Sequence, residues 1–142
     1  MAVTDLRRLF DDLVGLEIAV WNAVDARLSR DCALPLGQFM PMRVMAATPG
    51  CRVLDVSAQL QITVGAASKV VDRVEAAGHC VRRPNPQDRR SSLIALTPSG
   101  AAALAAADVV FEQELRELLG AVLSPAALDR FAGTLGRVRA AL

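Results

Sequence analysis

The chain has few of the residues from which metal centres and catalytic sites are built. In 142 residues there is one histidine (His79), no tyrosine, one tryptophan and three cysteines. Cys32, Cys51 and Cys80 form no CxxC pair, and with a single histidine the soft ligands are too few and too scattered for a zinc site. Three free thiols, no metal and no cofactor are expected. There is no GxSxG, HExxH or phosphate-cradling glycine loop, and no pair of carboxylates placed as acid and base, so catalysis is not expected either. Apolar residues make up 53% of the chain, yet no run reaches the ~18 to 20 consecutive apolar positions of a membrane-spanning helix. The opening MAVTDLRRLF lacks the basic start, apolar centre and cleavage site of a secretory signal, which makes the cytoplasm the expected compartment.

What is present is alanine, leucine and arginine. Low aromatic content (4%) beside abundant alanine points to a helix-rich fold, and the length suits one compact domain. The net charge of +1 hides an uneven distribution. Residues 32–100 hold eight basic side chains against four acidic ones, a local charge of +4, whereas 1–31 carry −2 and 101–142 carry −1. A basic middle between acidic ends is the pattern expected if only the middle faces phosphate.

Apolar residues from Leu6 to Leu28 recur at three- and four-residue intervals, which predicts a long first helix over about Thr4–Ser29. Its apolar stripe is too wide for one small domain to cover and calls for a second subunit. After Leu34-Pro35, a second helix is predicted over Gly37–Ala47, with Pro41 tolerable only near its first turn. A brief helix over Val53–Leu60 follows, with Leu54 and Ala58 read as inward-facing and Val56 and Leu60 as further candidates. Gln61-Ile62 is a turn, Thr63 an N-cap, Val64–Ala77 a helix and Gly78 its left-handed terminator. Two helices joined so tightly form a helix-turn-helix.

Cys80–Arg83 and Ser92–Leu96 read as strands flanking PNPQDRR, a hairpin with a basic tip. Thr97-Pro98 and Ser124-Pro125 each pair an N-cap with proline at the first helical position, so two more helices start there. The first of these carries Leu104, Phe111, Leu115, Leu118 and Val122. In the last, Leu128, Phe131, Leu135, Val138 and Leu142 are spaced three, four, three and four, the seam of a helix packed along a partner helix. With Leu6, Phe10 and Leu13 they make up the expected dimer interface.

The helix at 64–77 has an apolar side (Ala67, Val70, Val71, Val74, Ala77) and a side of small and polar residues (Gly65, Ser68, Lys69, Asp72, Arg73). Small residues in the first turn let the backbone approach a groove, where Ser68, Lys69 and Arg73 contact phosphates or base edges. Taken alone, such a side is as consistent with an ordinary solvated face. Arg89 and Arg90 in the loop just beyond it are placed to enter a minor groove, with Asp88 orienting an arginine side chain by a charge-assisted hydrogen bond or else forming an inconsequential surface pair. His79, just past the terminating glycine, is read as structural or phosphate-side rather than as a site of chemistry.

The run TVGAASKVVDRVEAAGHCVRRPNPQDRRSSLIALTPSG closely resembles the recognition helix, wing and following helix start of MarR-type regulators. The resemblance implies a mainly α winged helix-turn-helix fold with a small β-hairpin wing, as a single domain over 1–142. Residues 35–100 would be the DNA-binding lobe, and 1–31 with 101–142 the dimerisation helices. It implies a homodimeric repressor of double-stranded DNA, reading a pseudo-palindromic operator. Thr63, Val64, Gly65, Ala66, Ser68, Lys69 and Arg73 would enter the major groove. Arg90, oriented by Asp88, would reach the minor groove with Arg89 on the backbone, and Ser57 and Gln59 would be secondary contacts. Relatives commonly release DNA on binding a small aromatic, often phenolic, anion. Trp21, Phe39, Met42 and Arg43 are the candidate pocket here, against core packing for the first three and a surface role for Arg43. Two alternatives stay open. A thiol-sensing repressor would need an activated cysteine, and Met1 to Arg30 contains none. A winged-helix protein-interaction module would leave the basic tip without a purpose.

Overall fold

The computed structural model describes residues 4–142; Met1–Val3, the start of the expected dimerisation segment, lie outside that description. Six helices and one hairpin follow in the order α1 (Leu6–Cys32), α2 (Leu36–Ala47), α3 (Val53–Leu60), α4 (Val64–Ala76), β1 (Cys80–Pro84), β2 (Ser92–Leu96), α5 (Pro98–Gly120) and α6 (Pro125–Ala141). The strands pair antiparallel, Cys80 opposite Leu96 through Pro84 opposite Ser92. This is the mainly helical fold with a two-stranded wing expected from the sequence.

Local chemistry sets most boundaries. The side chains of Asp5, Thr63, Thr97 and Ser124 each accept from a backbone N–H in the first turn of the helix that follows, and Pro98 and Pro125 take positions where no N–H is needed. At the start of α2, Pro35 has no side-chain acceptor to offer. The carboxylate of Asp25, on α1, accepts from Leu36 N at 2.8 Å instead, so one residue both caps α2 and fastens it to α1. Gln61, between α3 and α4, adopts φ +54°, and Gly78 ends the α4 turn at φ +81°.

The core forms where the second half of α1, α2, α4 and the hairpin converge. Val24, Leu28, Phe39, Met42, Val71, Val74, Cys80 and Ile94 are its main members. Only Val24 and Leu28 of α1 are buried, and α6 has no buried residue. Arg27 ties α1 to α5 through Glu114 (2.7 Å) and Glu117 (3.4 Å) while also pairing with Asp31.

Three expectations need correction. In α3 the inward residue is Val56, fully buried, flanked by half-buried Val53 and Leu60; Leu54 and Ala58 face outward. Val53, Val56 and Leu60 follow the i, i+3, i+7 line of a helix, and contact with α2 and α4 selects that line over the neighbouring one. Pro41 lies in the second turn of α2, not the first, and is buried there. It forgoes the hydrogen bond to the Gly37 carbonyl in return for core contact. Val122 lies beyond the end of α5 and is exposed. No helix among the described residues is long and apolar enough to cross a membrane.

Candidate nucleic-acid interface

The first two turns of α4 present a surface with little side-chain bulk. Thr63, Val64, Gly65, Ala66 and Lys69 are exposed and Ser68 is half-buried, while Ala67 and Val71 anchor the helix from beneath. A Cβ added at Gly65 would meet nothing of the chain within 4 Å, so an approaching surface can come up to the backbone itself. Thr63 Oγ1 accepts from Ala66 N at 3.1 Å. Lys69 and Arg73 point outward and form no ion pair among the described residues.

The turn before α4 is stiffened by Ser57, whose Oγ donates to Ile62 O at 2.6 Å and whose carbonyl accepts from Ile62 N at 3.1 Å. That hydroxyl works within the turn. Gln59, exposed on the same helix, borders a cleft shared with α2 and α6. Two residues apart on α3, Ser57 and Gln59 lie about 200° apart around the axis and do not share a face.

The wing tip is a chain of side-chain turns. Asn85 Oδ1 accepts from Gln87 N (3.0 Å), Asn85 Nδ2 donates to Ser91 Oγ (3.1 Å), and Asp88 Oδ1 accepts from Arg90 N (2.9 Å). The Asp88 carboxylate therefore shapes the loop through the backbone of Arg90 and forms no ion pair with a guanidinium, contrary to the expectation that it grips an arginine side chain. Arg89 and Arg90 are exposed and, among the described residues, without an acidic partner.

Arg82 behaves differently. By sequence it counts with the basic residues of the middle segment, but its charge is used inside the lobe, on Asp72 (2.7 Å) and Glu75 (3.1 Å) of α4. Arg52 likewise faces Asp55 at 3.5 Å. Three of the four acidic groups between 32 and 100 are thus occupied, and the unpaired charge along α4 and the wing is positive. Nothing in the local sequence marks Arg82 as taken; only the packing of β1 on α4 does.

The four candidate effector residues are not brought to one cavity. Phe39 and Met42 are wholly buried in the core, Phe39 against Phe111 with ring centroids 4.9 Å apart. Arg43 lies over both rings, 5.7 and 5.2 Å from their centroids. Trp21 lines a separate apolar cavity of ≈ 420 Å³ with Leu13, Phe131 and Leu135 among others, where Glu17 is the one charged lining residue. Arg43 instead borders a ≈ 470 Å³ cleft with Gln59 of α3 and Arg139 of α6.

The cysteines are free thiols. Cys51 and Cys80 are buried, and burial pushes each thiol up to about 11, above its ordinary value. A raised thiol value means stability that is present below about pH 9 and lost as pH climbs through about 11. It also means a negligible thiolate fraction near neutrality. Thiol labelling of the folded protein at pH 8 should accordingly be fast at Cys32 alone, with Cys51 and Cys80 reacting only after denaturant is added. Rapid labelling of all three without denaturant would show that this burial does not hold in solution.

Comparison with known proteins agrees with this architecture. Residues 34–92 match the MarR family. The multiple antibiotic resistance protein MarR of Salmonella typhimurium is 39% identical over 100 residues, covering 66% of this chain and 69% of that protein. Among solved structures, Sco3205, a MarR family transcriptional regulator from Streptomyces coelicolor in complex with DNA, superimposes with a TM-score of 0.84 at 21% identity, over 99% of this chain and 89% of that one. The transcriptional repressor CouR bound to a 23-mer DNA duplex gives 0.79 at 25% identity, over 97% and 99%. With its winged helix-turn-helix, its unpaired cations along α4 and the wing, and these likenesses, the chain belongs to the MarR family of DNA-binding transcriptional regulators, which are not enzymes.

Proposed function

We propose that the protein is a homodimeric repressor that binds a pseudo-palindromic operator and releases it when a small aromatic or phenolic carboxylate binds. One observation carries the DNA-contact part. Lys69, Arg73, Arg89 and Arg90 are exposed and, among the described residues, unpaired on two adjoining elements, while Asp72 and Glu75 of α4 are occupied by Arg82 and Asp88 is the one nearby carboxylate without a cation. The N-terminal half of α4, from Thr63 to Arg73, enters the major groove, its small first turn allowing close approach. Arg90 enters the adjacent minor groove, with Arg89 on the phosphates. Asp88 contributes by fixing the loop that carries them. Ser57 acts through the turn it stiffens, and Gln59 is at most a peripheral contact.

Residues 35–100 serve as the DNA-binding lobe, and 1–31 with 101–142 as the dimerisation helices. Leu6, Phe10, Leu13, Leu128, Phe131, Leu135, Val138 and Leu142 are exposed or half-buried in the isolated chain, as residues awaiting a partner copy would be. The dimer presents two α4 helices to half-sites ~34 to 36 Å apart. The effector's carboxylate is assigned to the cleft holding Arg43 and Arg139, because it joins the lobe to a dimerisation helix and supplies two guanidinium groups. The work is done in the cytoplasm, where the thiols stay reduced.

The test is fluorescence anisotropy with the DNA upstream of the protein's own coding sequence, over a salt series, with and without a panel of aromatic carboxylates. Tight binding that weakens steeply with salt and is abolished by one carboxylate is the expected result. Failure to bind any duplex at low salt would instead favour a protein-interaction module. Within the same assay, Arg90→Ala should weaken operator binding by roughly 10- to 100-fold, the cost of ~1 to 3 kcal/mol for a lost groove contact, with the dimer intact. Unchanged affinity would remove the wing from the interface.

A further inference from the structure

Arg82 is only 23% exposed, and its bonds run along one line of α4. Its backbone N donates to Glu75 Oε2 at 3.0 Å and one terminal nitrogen to Glu75 Oε1 at 3.1 Å. The other terminal nitrogen donates to Ser68 O at 3.3 Å and pairs with Asp72 at 2.7 Å. Ser68, Asp72 and Glu75 stand at i, i+4 and i+7, so one side chain from the wing spans two turns of α4. Ser68 O also has its own helix to serve, and it accepts the extra bond through its second lone pair.

We infer that Arg82 is a positioning residue for DNA binding: it locks the wing to α4, so that Lys69 and Arg73 on the helix and Arg89 and Arg90 on the wing meet the duplex at a fixed separation. Two observations give the lock a task. The wing is a two-stranded ribbon, which on its own is marginally stable; its base is fastened by Ile94 N, which donates to Cys51 O at 2.7 Å, and by buried Cys80 and Ile94, whereas the side-chain hydrogen bonds of its tip join tip residues to one another. The face of β1 that bears Arg82 is also where the ribbon meets the charged side of α4, since β1 alternates faces and Arg83 is exposed. A planar guanidinium suits the task. It presents its donors in a fixed fork and can satisfy two carboxylates and a carbonyl at once. Without it the wing keeps its arginines but loses their placement, and the freedom to be surrendered on binding grows.

The inference rests on the assignment of α4 and the wing as the DNA contacts, and the experiment separates the two. Operator affinity is measured for the parent, Arg82→Ala, Arg90→Ala and the double variant, with helical content and oligomeric state recorded for each. Arg82→Ala should lose about tenfold, as for a hydrogen-bonded charged group, while remaining a folded dimer. In the Arg90→Ala background the same change should cost clearly less than it does in the parent, because the minor-groove contact, one of the two wing contacts it positions, has already gone. Additive losses would overturn the inference, since an independent phosphate contact or a general loss of stability adds. Arg82→Lys is the second discriminator: lysine keeps the charge but not the fork, and should show most of the alanine loss. Full binding by the lysine variant would mean that charge alone matters. If Arg82→Ala loses its helical signal, Glu75→Ala removes the clamp from the other side and completes the same cycle. If Arg90→Ala binds as tightly as the parent, the underlying assignment is what has failed.

Discussion

Leu135→Asp is expected to turn the proposed dimer into a monomer and to abolish operator binding in one step. Leu135 is 42% exposed in the isolated chain and borders the apolar cavity formed by α1, α2, α5 and α6. Leu13 also lines that cavity, and Leu6, Phe10 and Val138 on the same two helices are exposed apolar side chains as well. A monomer would leave this surface in water, and patches of that kind mark association sites. In the proposed dimer the aspartate is driven into an apolar interface where the one charged lining residue on this chain is another carboxylate, Glu17. An uncompensated buried charge costs about 3 to 5 kcal/mol, and two-fold symmetry applies the penalty twice. Dimerisation should weaken by several orders of magnitude. The monomer then reaches a single half-site, and loss of the linked second contact should lower operator affinity by about a hundredfold or more. Within one chain the cost is small, because position 135 is on the surface of α6, so helical content should be retained. Light scattering reads the mass and anisotropy reads the binding. A variant that remains dimeric and binds like the parent would place the interface on another face.

The order of elements was legible because it is written in short-range chemistry. Thr63, Thr97-Pro98 and Ser124-Pro125 announce helices that begin at Val64, Pro98 and Pro125, and the proline- and arginine-rich PNPQDRR can only be a turn between strands. What stayed illegible depends on partners distant in sequence. Asp25 caps α2 across 11 residues. The eight-residue α3 has apolar side chains on two lines, and only packing decides that Val56 rather than Leu54 turns inward. Arg82 and Arg73 look alike in sequence, yet one is bonded to Asp72 and Glu75 and the other is free among the described residues. The effector pocket met the same limit. Phe39 and Met42 share a helical line, and periodicity alone cannot say whether that line faces a cavity or the core.

Gly100→Ala should be the most destabilising single methyl that can be added at any of the glycines. The residue is buried, third in α5, and its N–H donates to Thr97 Oγ1 at 3.0 Å. Its backbone lies outside the positive-φ region, so no turn demands glycine there. Space does. A Cβ at this position would lie 2.0 Å from His79 O, 2.7 Å from His79 C and 2.9 Å from His79 Cα. These are backbone atoms, and they are held. His79 O accepts from Thr97 N at 3.0 Å, His79 N donates to Val74 O at 3.1 Å, and Gly78 O accepts from Thr97 Oγ1 at 2.7 Å. No rotamer change relieves the clash; either α5 or the α4–β1 joint must move. Overpacking by one methyl commonly costs about 1 to 3 kcal/mol, and a clash with fixed backbone belongs at or above the upper end, about 3 kcal/mol, or a fall in Tm on the order of 10 °C. Gly37→Ala, where the added Cβ meets nothing within 4 Å, is the control and should change stability by less than about 1 kcal/mol. Thermal denaturation of the two variants beside the parent measures both. If the two melted alike, the chain would have room at this joint that the packing denies. The expected result carries a functional corollary, because the joint is where the proposed DNA-binding lobe meets α5, one of the proposed dimerisation helices. Whatever fraction of the Gly100→Ala variant still folds should hold its two α4 helices at an altered separation and lose operator affinity while remaining dimeric.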